Sequence, residues 1–581
     1  MSSQRSSQSN TRSSVNPTPI RGTTIMFQGT SSDVGKSLLT TALCRILTQD
    51  GRRVAPFKSQ NMSLNAYVTP DGKEIGRAQG MQADACGIAA TTDMNPILLK
   101  PSREMASQVI VHGKPYKELD ARAYREHYLP LAEGIVKDAL ERLRSEYEIV
   151  VIEGAGSPAE INLKDRDIVN MRLAAWADAP VILIADIDRG GVFASIVGTL
   201  DILEPHERDR VKGIIINKFR GDVSLLQPGL DWLEARINKP VLGVLPYLPN
   251  LALEDEDSAS LDARIQSSVA MTIDRRGIAN QQATANQPIN ADQQINTDQL
   301  DIAVIRLPRI SNFSDFDPLI VEPDVRVRYV TTPVELGVPD VIIVPGSKNT
   351  ALDLQFLRAS GLADRIQRHV VDGGQLVGIC GGYQMLGERL LDPDGVESSH
   401  RELPGLGLLP IETTFTADKR TVRVSGSTAD GFILNEAQAT SAPSQSTLDG
   451  APAAGKLPVQ GYEIHMGVTT FSGHAVHPFR IKLQTAEDTA ANYYAEGAST
   501  PDGSVWGTYV HGILHNDELR LAWLNRLRAR RGLPQQAAPI AFGALREASF
   551  DRLADHFRSH IDMERIYQII HEGATTHEQS K

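Results

Sequence analysis

Two series of short apolar segments, separated by longer stretches of helical character, constrain the fold of this 581-residue chain more than any other feature. The runs of the first series are five to eight residues long and rich in Ile and Val, as buried strands are. Such strands with helical spacers are typical of a parallel sheet covered on both faces. We therefore predict an α/β domain over residues 22–255. The runs of this series are 23–27, 53–57, 147–153, 179–186, 211–217 and 240–246.

A second series of the same kind begins at Leu300. It predicts a second α/β domain over residues 301–581, again with a sheet between helices. The helical periodicity at 546–570 indicates closing helices at the end of that domain. The runs of this series are 300–307, 325–330, 340–346 and 375–380.

Three stretches of polar composition have no apolar periodicity. We predict a disordered tail at residues 1–21. Their Ser- and Arg-rich composition is also that of a transit peptide, but nothing in them is amphipathic, which favours the tail. Residues 256–300, with a run rich in Gln, Asn and Ala from Ile278, predict a flexible linker. Residues 436–458 predict a loop insertion. Such segments cannot bury enough apolar surface to offset their chain entropy.

Net charge and cysteine content limit which partners the chain is expected to bind and in which compartment it is expected to lie. The net charge of -12 argues against a polyanion as the main ligand, so we expect no nucleic-acid partner. Cys44, Cys86 and Cys380 are too few to form a disulfide framework, which indicates a reducing, cytoplasmic location. No apolar run is long enough to cross a bilayer, so we expect no membrane partner.

The segment GTSSDVGKS at 29–37, between a strand and a helix, is typical of a phosphate-binding loop. Five residues separate its glycines, one more than in the usual Walker A spacing. Backbone N–H groups and the helix dipole would hold phosphate, Lys36 would reach the β- and γ-phosphates, and Ser37 would bind Mg²⁺. The alternative is a glycine-rich turn with a surface lysine. The predicted nucleotide-binding residues are Gly29, Thr30, Ser31, Asp33, Val34, Gly35, Lys36 and Ser37.

Polar side chains at the ends of the predicted strands add candidates for the same site. Ligands of open α/β sheets bind at the carboxyl ends of the strands. Glu153 ends one strand and would hold Mg²⁺ directly or through water, the alternative being an acid that caps the next turn. Asp186 and Asp188 are weaker metal candidates, Lys58 would add positive charge, and Asn217 would contact the adenine edge. Each of these four also suits a surface or capping role.

The segment GICGG at 378–382 has the form of a strand-to-helix turn that carries a nucleophile. Small neighbours are needed because the backbone is strained and tightly packed there. The helix N-terminus would lower the pKa of the Cys380 thiol. The N–H of Gly381 would stabilise an oxyanion, with a second donor near Gly346 in VIIVPGSKN. The alternative for Cys380 is a buried structural cysteine.

A cysteine nucleophile needs a base, and three histidines are candidates. His511 directly follows a predicted strand in GTYVHG and should stand beside the turn at Cys380. His515 would lie in the outgoing loop, more in keeping with a surface residue. His465, in GYEIHMG, suits a supporting role near a substrate. We therefore predict His511 as the base.

Taken together, these motifs resemble the cobyric acid synthase family. The first half is similar to the dethiobiotin synthetase fold, and the second to a class I glutamine amidotransferase with a flavodoxin-like sheet. The resemblance covers nearly the whole chain apart from the tail, the linker and the insertion. The segments that carry it are QGTSSDVGKS, FKSQNMSLNAYVT, EIGRAQ, EGAGSPAEINL, DIDRGGVFAS, NKFRGD, PGSKNT, GICGGYQMLG, GYEIHMG and GTYVHGI.

The resemblance implies amidation of the b, d, e and g carboxylates of adenosylcobyrinic acid a,c-diamide, with one ATP and one glutamine for each amide. It implies Cys380 as the glutaminase nucleophile, His511 as its base, residues 29–37 as the ATP site and Glu153 as a Mg²⁺ residue. The alternative within the same pathway is cobyrinic acid a,c-diamide synthase. The alternative from another class is a P-loop switch ATPase, but residues 29–35 lack the early lysine of those proteins.

One departure from the wider amidotransferase pattern concerns the histidine. A triad would place a glutamate two residues after it, whereas this chain has Ile513 there. No acid from this motif can therefore orient His511. The sequence predicts a Cys–His pair and leaves open what aligns the imidazole.

Overall fold

The computed structural model describes residues 21–103, 106–120, 129–254, 298–432, 455–484 and 492–578. The predicted tail, linker and insertion lie outside these ranges, except for the last few residues of each. Strands and helices are numbered along the chain.

Six parallel strands form the sheet of the N-terminal domain, in the order β12-β11-β10-β1-β9-β2. Each run of the first predicted series is one of these strands. Successive residues of β1 enter different cores, since Ile25 and Phe27 pack on one face and Met26 on the other. The predicted parallel sheet covered on both faces is confirmed. The strands are β1 (Thr23–Gly29), β2 (Val54–Phe57), β9 (Ile149–Glu153), β10 (Val181–Asp186), β11 (Val211–Phe219) and β12 (Val241–Pro246).

Helices cover both faces of this sheet. Helices α1 and α2 lie mainly on the face of Ile25, and α3, α4, α5 and α7 lie on the face of Met26. Their bounds are α1 (Lys36–Gln49), α2 (Arg77–Ala85), α3 (Leu129–Glu146), α4 (Met171–Ala177), α5 (Val192–Ile202), α6 (Pro205–Arg208) and α7 (Gln227–Ile237).

Between β2 and α3 the chain builds two small sheets that the sequence pattern did not predict. One is a four-stranded sheet in the order β3-β6-β7-β8, and the other is the hairpin β4–β5. The hairpin lies on the side of the domain that faces the C-terminal half. The bounds are β3 (Gln60–Met62), β4 (Ala66–Val68), β5 (Glu74–Gly76), β6 (Ile97–Arg103), β7 (Ala106–Val111) and β8 (Lys114–Asp120).

The last two helices of the chain pack on the N-terminal sheet. Phe550, Phe557 and Ile566 of α14 (Phe542–His560) and α15 (Met563–Glu578) share the core cluster of Ile25 and Phe27. The ring of Phe557 lies 6.4 Å from that of Phe27. The domain predicted over residues 301–581 includes these helices, whereas the structure packs them on the N-terminal sheet. Their amphipathic pattern shows that they bury one face, but it does not show which sheet receives that face.

The C-terminal domain is built on a second sheet, in the order β15-β13-β16-β18-β26-β25. Its first five strands are parallel and β25 is antiparallel. Beside it lies the short pair β14–β17, which joins Ser311 to Gly346. The strands are β13 (Leu300–Ile305), β14 (Ile310–Ser311), β15 (Val325–Val330), β16 (Val341–Val344), β17 (Gly346–Ser347), β18 (Gln375–Ile379), β25 (Ala498–Ser499) and β26 (Val505–Thr508).

The helices of this domain surround its sheet. The second predicted series of runs corresponds to β13, β15, β16 and β18, which confirms the second α/β domain. The helices are α8 (Asp317–Ile320), α9 (Pro333–Leu336), α10 (Thr350–Ala359), α11 (Leu362–Val371), α12 (Gly381–Met385) and α13 (Asp517–Arg531).

A third sheet, largely antiparallel, lies between the parallel sheet of the C-terminal domain and the N-terminal hairpin. It follows the order β20-β19-β21-β22-β27, with β23 and β24 beside β21. Arg423 of this sheet donates to the carbonyl of Val68, and Lys419 pairs with Glu74. The strands are β19 (Arg389–Leu391), β20 (Glu402–Pro404), β21 (Ile411–Thr428), β22 (Pro458–Phe471), β23 (Phe479–Leu483), β24 (Tyr494–Glu496) and β27 (Val510–His511).

Candidate active sites

The loop between β1 and α1 folds around the side chain of Lys36. The Nζ of Lys36 donates to the carbonyl of Ser31 at 2.9 Å and to that of Gly156 at 3.2 Å. Gly35 begins α1 with a φ of 98°, and a Cβ there would lie 2.3 Å from Nδ2 of Asn217. Only glycine therefore fits this position without strain. The geometry is that of a phosphate loop with its lysine folded onto the backbone.

Glu153 lies directly behind this loop and is fully buried. Its Oε1 accepts a hydrogen bond from the Ser37 hydroxyl at 2.9 Å and lies 3.0 Å from Nζ of Lys58. Its Oε2 accepts from Nε2 of Gln82 at 2.7 Å. The structure thus brings together three of the predicted site residues, Ser37, Lys58 and Glu153, and adds Gln82, which the sequence analysis missed. Gln82 lies inside α2, and its spacing from the loop gave no signal.

The other strand-end residues are engaged with protein partners. Asn217 donates to the carbonyl of Val34 at 2.8 Å and accepts from the N–H of Lys218, so an adenine contact would displace one of these bonds. Asp186 lies 2.8 Å from Nζ of Lys218. Asp188 lies 2.9 Å from Arg220. Asn217 therefore braces the loop from behind, while both aspartates sit beside cations.

Ser37 and Glu153 are compatible with Mg²⁺ held mainly by nucleotide phosphates. Mg²⁺ in such sites takes one or two protein ligands and keeps several waters. The Ser37 hydroxyl would be the direct ligand, and Glu153, which accepts its hydrogen bond, would orient it. Lys58, 3.0 Å from the carboxylate, disfavours Glu153 as a direct ligand. Within the described ranges, no group of three or more His, Cys, Asp or Glu side chains forms a metal site by itself.

Cys380 stands at the turn between β18 and α12 with φ 52° and ψ -110°, a strained conformation for a residue with a Cβ. The glycines around it allow this turn. A Cβ on Gly382 would lie 1.9 Å from the carbonyl oxygen of Val344, and one on Gly378 would lie 2.8 Å from Cα of Tyr383. The buried Cys380 thiol lies 3.4 Å from the carbonyl of Ile464.

Of the two predicted oxyanion residues, Gly381 directly follows Cys380 and Gly346 lies beside His511. A Cβ on Gly381 would lie 3.0 Å from the backbone nitrogen of Ser347, and one on Gly346 would lie 3.1 Å from Cε1 of His511. The two backbones are thus packed closely around Cys380 and His511. This arrangement would suit the stabilisation of a negatively charged oxygen by backbone N–H groups.

Asp315 orients His511, and the sequence analysis missed it. Its Oδ2 lies 2.7 Å from Nδ1 of His511, and its Oδ1 accepts the N–H of Gly512 at 2.8 Å. Both side chains are buried. Asp315 lies in a single 3₁₀ turn, Phe313–Phe316. The polar run SNFSDFD after β13 was the only signal for it in the sequence.

The environment of His511 strongly favours its protonated form. Burial alone lowers the pKa of a histidine, but the charges of Asp315 and Cys380 outweigh it and raise the pKa of His511 to about 10. A hydrogen bond with Cys380 acts in the same direction. Such an imidazolium is the natural partner of a thiolate. Cys380, His511 and Asp315 thus form a triad-like array.

The two other histidines have different positions. His465 stacks on the ring of Tyr509 at 3.7 Å and lines the cavity beside Cys380, in keeping with a supporting role. His515, expected at the surface, is half-buried, and its Nε2 lies 3.0 Å from the carbonyl of Ser314. It therefore supports the turn that carries Asp315.

A small cavity of about 50 Å³ connects Cys380 with the N-terminal domain. Lys100 and Gln108 of the N-terminal domain face it from one side, and Lys348, Lys419 and Gln384 from the other. A larger cavity of about 580 Å³, which shares Lys419 and His465 with it, is lined by residues of β21, β22 and β24. The thiol is therefore reached through space that both domains line.

Residues 58–66 run from one site to the other. Lys58 contacts Glu153 at the phosphate loop. Eight residues later, the N–H of Ala66 donates to Oδ1 of Asn312 at 2.9 Å, and Nδ2 of Asn312 lies 3.1 Å from Nε2 of His511. Several polar side chains of this segment are buried, among them Ser59, Asn61 and Ser63. The two sites are thus physically joined by a short, mostly buried stretch of chain.

Two sequence families match the two halves of the chain. Residues 25–261 match the CobQ/CobB/MinD/ParA nucleotide binding domain. Residues 301–519 match the CobB/CobQ-like glutamine amidotransferase domain. The second match ends before α14, in keeping with the packing of α14 and α15 on the N-terminal sheet.

Close relatives extend over nearly the whole chain. A cobyric acid synthase of Geobacillus kaustophilus is 51% identical over 547 residues, covering 94% of this chain and 97% of its own. One of Dehalococcoides mccartyi strain CBDB1 is 49% identical, covering 94% and 99%. One of Desulforamulus reducens is 48% identical, covering 94% and 98%. No helix in the described part of the chain combines the length and apolar character of a membrane span.

Proposed function

The chain belongs to the cobyric acid synthase family, and on that premise we propose that it amidates the b, d, e and g carboxylates of adenosylcobyrinic acid a,c-diamide, giving adenosylcobyric acid. The enzyme is a glutamine-hydrolysing carbon–nitrogen ligase of cobalamin biosynthesis. Each amide would consume one ATP and one glutamine. The observation that carries the proposal is the triad-like array at Cys380, joined by residues 58–66 to a phosphate loop in the same chain.

In the glutaminase half-reaction, Nε2 of His511 would take the proton of the Cys380 thiol. The thiolate would attack the amide carbon of glutamine, and backbone N–H groups near Gly346 and Gly381 would stabilise the oxyanion. The imidazolium would then return its proton to the leaving nitrogen, which departs as ammonia. Water would cleave the remaining thioester and release glutamate. Asp315 would hold the imidazole in place through both steps.

Glutamine would enter through the larger cavity, which β21, β22 and β24 line. Lys419 and His465 line both that cavity and the one beside Cys380, which supports an approach to the thiol from this side. Lys348 and Lys419 offer positive charge for the α-carboxylate of glutamine, and Glu397 offers a carboxyl group for its α-amino group.

In the synthetase half-reaction, a substrate carboxylate would accept the γ-phosphoryl group of ATP. The resulting acyl phosphate has a good leaving group, whereas a free carboxylate does not react with ammonia at neutral pH. Lys36 and Lys58 would stabilise charge on the transferred group. Ser37, oriented by Glu153, would hold Mg²⁺, which would supply further charge neutralisation on the phosphates.

Ammonia must arrive unprotonated, which favours internal passage over release. The cavity that links Cys380 with Lys100 and Gln108 supports such a path, because it opens from the thiol toward the N-terminal domain. Burial, the largest influence, lowers the pKa of Lys100 to about 8.

The experiment that tests this function compares wild type with Cys380→Ala. With ATP, Mg²⁺, adenosylcobyrinic acid a,c-diamide and either glutamine or ammonium, mass spectrometry follows the products. We expect four added amides from wild type with either nitrogen source, and amides only with ammonium from the variant. Cys44→Ala, which removes a buried thiol elsewhere, is the matched control. Loss of amide formation from both nitrogen sources in wild type, or retained glutamine use in Cys380→Ala, would contradict the proposal.

A further inference from the structure

Asn312 lies between the N-terminal domain and the catalytic histidine, and both ends of its side-chain amide are engaged. Its Oδ1 accepts the N–H of Ala66, in β4, at 2.9 Å. Its Nδ2 lies 3.1 Å from Nε2 of His511. The residue is 2% exposed and adopts a left-handed conformation with φ 51°. A buried side chain held in this conformation has little freedom except rotation of its amide.

The backbone N–H of Ala66 fixes the direction of every hydrogen bond in this chain of contacts. A backbone N–H can only donate, so the amide oxygen of Asn312 must face Ala66. The amide nitrogen must then face His511 and donate to Nε2. Nε2 is consequently the acceptor, and Nδ1 carries the proton that is donated to Asp315. The docked N-terminal domain thus favours, among the neutral forms of His511, the tautomer protonated at Nδ1.

This arrangement opposes the acid–base step at Cys380. The imidazolium carries a proton on Nε2, and two N–H groups cannot share a hydrogen bond. Asp315 and Cys380 favour the imidazolium, whereas the amide of Asn312 favours the neutral ring. A half-turn of the amide would resolve the conflict at His511, since its oxygen would then accept from Nε2–H. The same turn would set Nδ2 against the N–H of Ala66.

We propose that Asn312 is a positioning residue whose amide acts as a brake: it disfavours the imidazolium of His511 while β4 is docked, and it turns to stabilise that imidazolium when β4 moves. The inference rests on the proposed function and deepens it. Glutamine hydrolysis would thereby depend on the state of the synthetase domain. The brake would prevent loss of ammonia when no carboxylate is ready to receive it.

Contacts inside the N-terminal domain connect β4 with the phosphate loop. β4 pairs with β5, which leads directly into α2. Gln82 of α2 donates to Glu153, the same carboxylate that accepts from Ser37 of the loop. A ligand that rearranges Ser37 and Glu153 therefore acts on the element that carries the hairpin. Residues 58–66 form a second connection, from Lys58 at Glu153 to Ala66.

The test compares glutaminase rates without and with ATP plus the corrinoid acid in wild type, Asn312→Ala and Asn312→Asp. Alanine removes the donor that opposes the imidazolium, and aspartate presents oxygen to both Ala66 and His511. We expect wild type to be stimulated. In the variants we expect a basal rate raised about five- to tenfold, the factor that one hydrogen bond controls, and a stimulation ratio near one. Asn525→Asp, a buried asparagine bonded to Arg528 and Gln536, is the matched control and should behave as wild type.

A second measurement needs no variant. Alkylation of Cys380 in wild type, followed by mass spectrometry over a range of pH, reports its thiolate. With ATP and the corrinoid acid bound, we expect faster alkylation and an onset at lower pH than in the free enzyme. The groups that face His511 are Asp315 and Cys380, with the ring of Tyr462 stacked on it at 5.3 Å and Arg77 bonded to the Tyr462 hydroxyl.

Three outcomes would overturn the inference. The first is a stimulation ratio in both variants equal to that of wild type, and the second is loss of stimulation with a basal rate at or below that of wild type. The third is an alkylation profile of Cys380 that ATP and the corrinoid acid do not change. A wild type that hydrolyses no glutamine under any of these conditions would instead contradict the proposed function. The two failures are therefore distinguishable.

Discussion

The Oδ2 atom of Asp315 lies 2.7 Å from Nδ1 of His511, 196 residues away in the chain. This carboxylate takes the place of the acid that Ile513 cannot supply. Because its other oxygen accepts the N–H of Gly512, Asp315 is tied to the histidine by both side chain and backbone. The array at Cys380 thus has three members, drawn from a 3₁₀ turn, a strand-to-helix turn and a strand end.

Replacement of Asp315 should impair only the glutamine-dependent reaction. We expect Asp315→Asn to lower glutaminase activity on the order of 10²–10⁴-fold, because the base would lose both its orientation and the charge that stabilises the imidazolium. The pKa of His511 should fall, since the Asp315 charge raises it. Ammonium-dependent amide formation should remain. The measurement is glutamate release beside corrinoid mass spectrometry.

Asp317→Asn provides the control for this variant, because it makes the same chemical change two residues away, at the start of α8. It should leave both reactions near the wild-type rate. Equal loss of glutamine- and ammonium-dependent activity in Asp315→Asn would indicate a folding defect and contradict the assigned role.

Local patterns predicted the strands of both parallel sheets, the phosphate loop and the turn at Cys380, because each depends on residues close together in sequence. Asp315 and Asn312 could not be predicted in this way. Their partners lie 196 and 246 residues away, and only the folded chain brings them together. The same holds for α14 and α15, whose apolar faces cover β1 at the opposite end of the chain.

The packing of α14 predicts that the C-terminus stabilises the synthetase domain. Phe557 is fully buried and packs against Phe27 of β1. We expect Phe557→Ala to cost about 3–5 kcal/mol of folding free energy and to expose the N-terminal domain first to proteolysis. Leu545→Ala, on the same helix at a side chain that is 40% exposed, should cost less than about 1 kcal/mol. Urea denaturation with limited proteolysis measures both. Initial cleavage in the C-terminal domain of Phe557→Ala would contradict this domain assignment.

Lys36 should be essential for the synthetase reaction and dispensable for basal glutamine hydrolysis. Its Nζ lies within the phosphate loop, bonded to backbone carbonyls that a nucleotide phosphate would replace. We expect Lys36→Met to lower amide formation by about 10²-fold or more, with weaker nucleotide binding in calorimetry. Lys212→Met, at an exposed position of β11, is the control. Retained amide formation with ammonium in Lys36→Met would show that this loop is not the ATP site.

The pH dependence of stability should reveal a buried carboxyl group at Glu496. Burial, aided by the charge of Glu463, raises the pKa of Glu496 to about 8, against donors at Thr508 and Tyr509 that lower it. The folded protein therefore keeps a proton that the unfolded chain releases above pH 4.5. Because of this group, the free energy of unfolding of the wild type should fall as pH rises from about 4.5 to about 8.

Glu496→Gln removes this titration while keeping the size and an acceptor for the N–H of Tyr509. Relative to wild type, the variant should therefore gain stability as pH rises, by about 1–3 kcal/mol between pH 5 and pH 8. Denaturation midpoints of both proteins at the two pH values measure the difference. Glu412→Gln, at a partly exposed carboxylate paired with Arg389, should show no such gain. A stability difference that stays constant with pH would mean that Glu496 is ionised in the folded protein throughout, held by the nearby charge of Arg420.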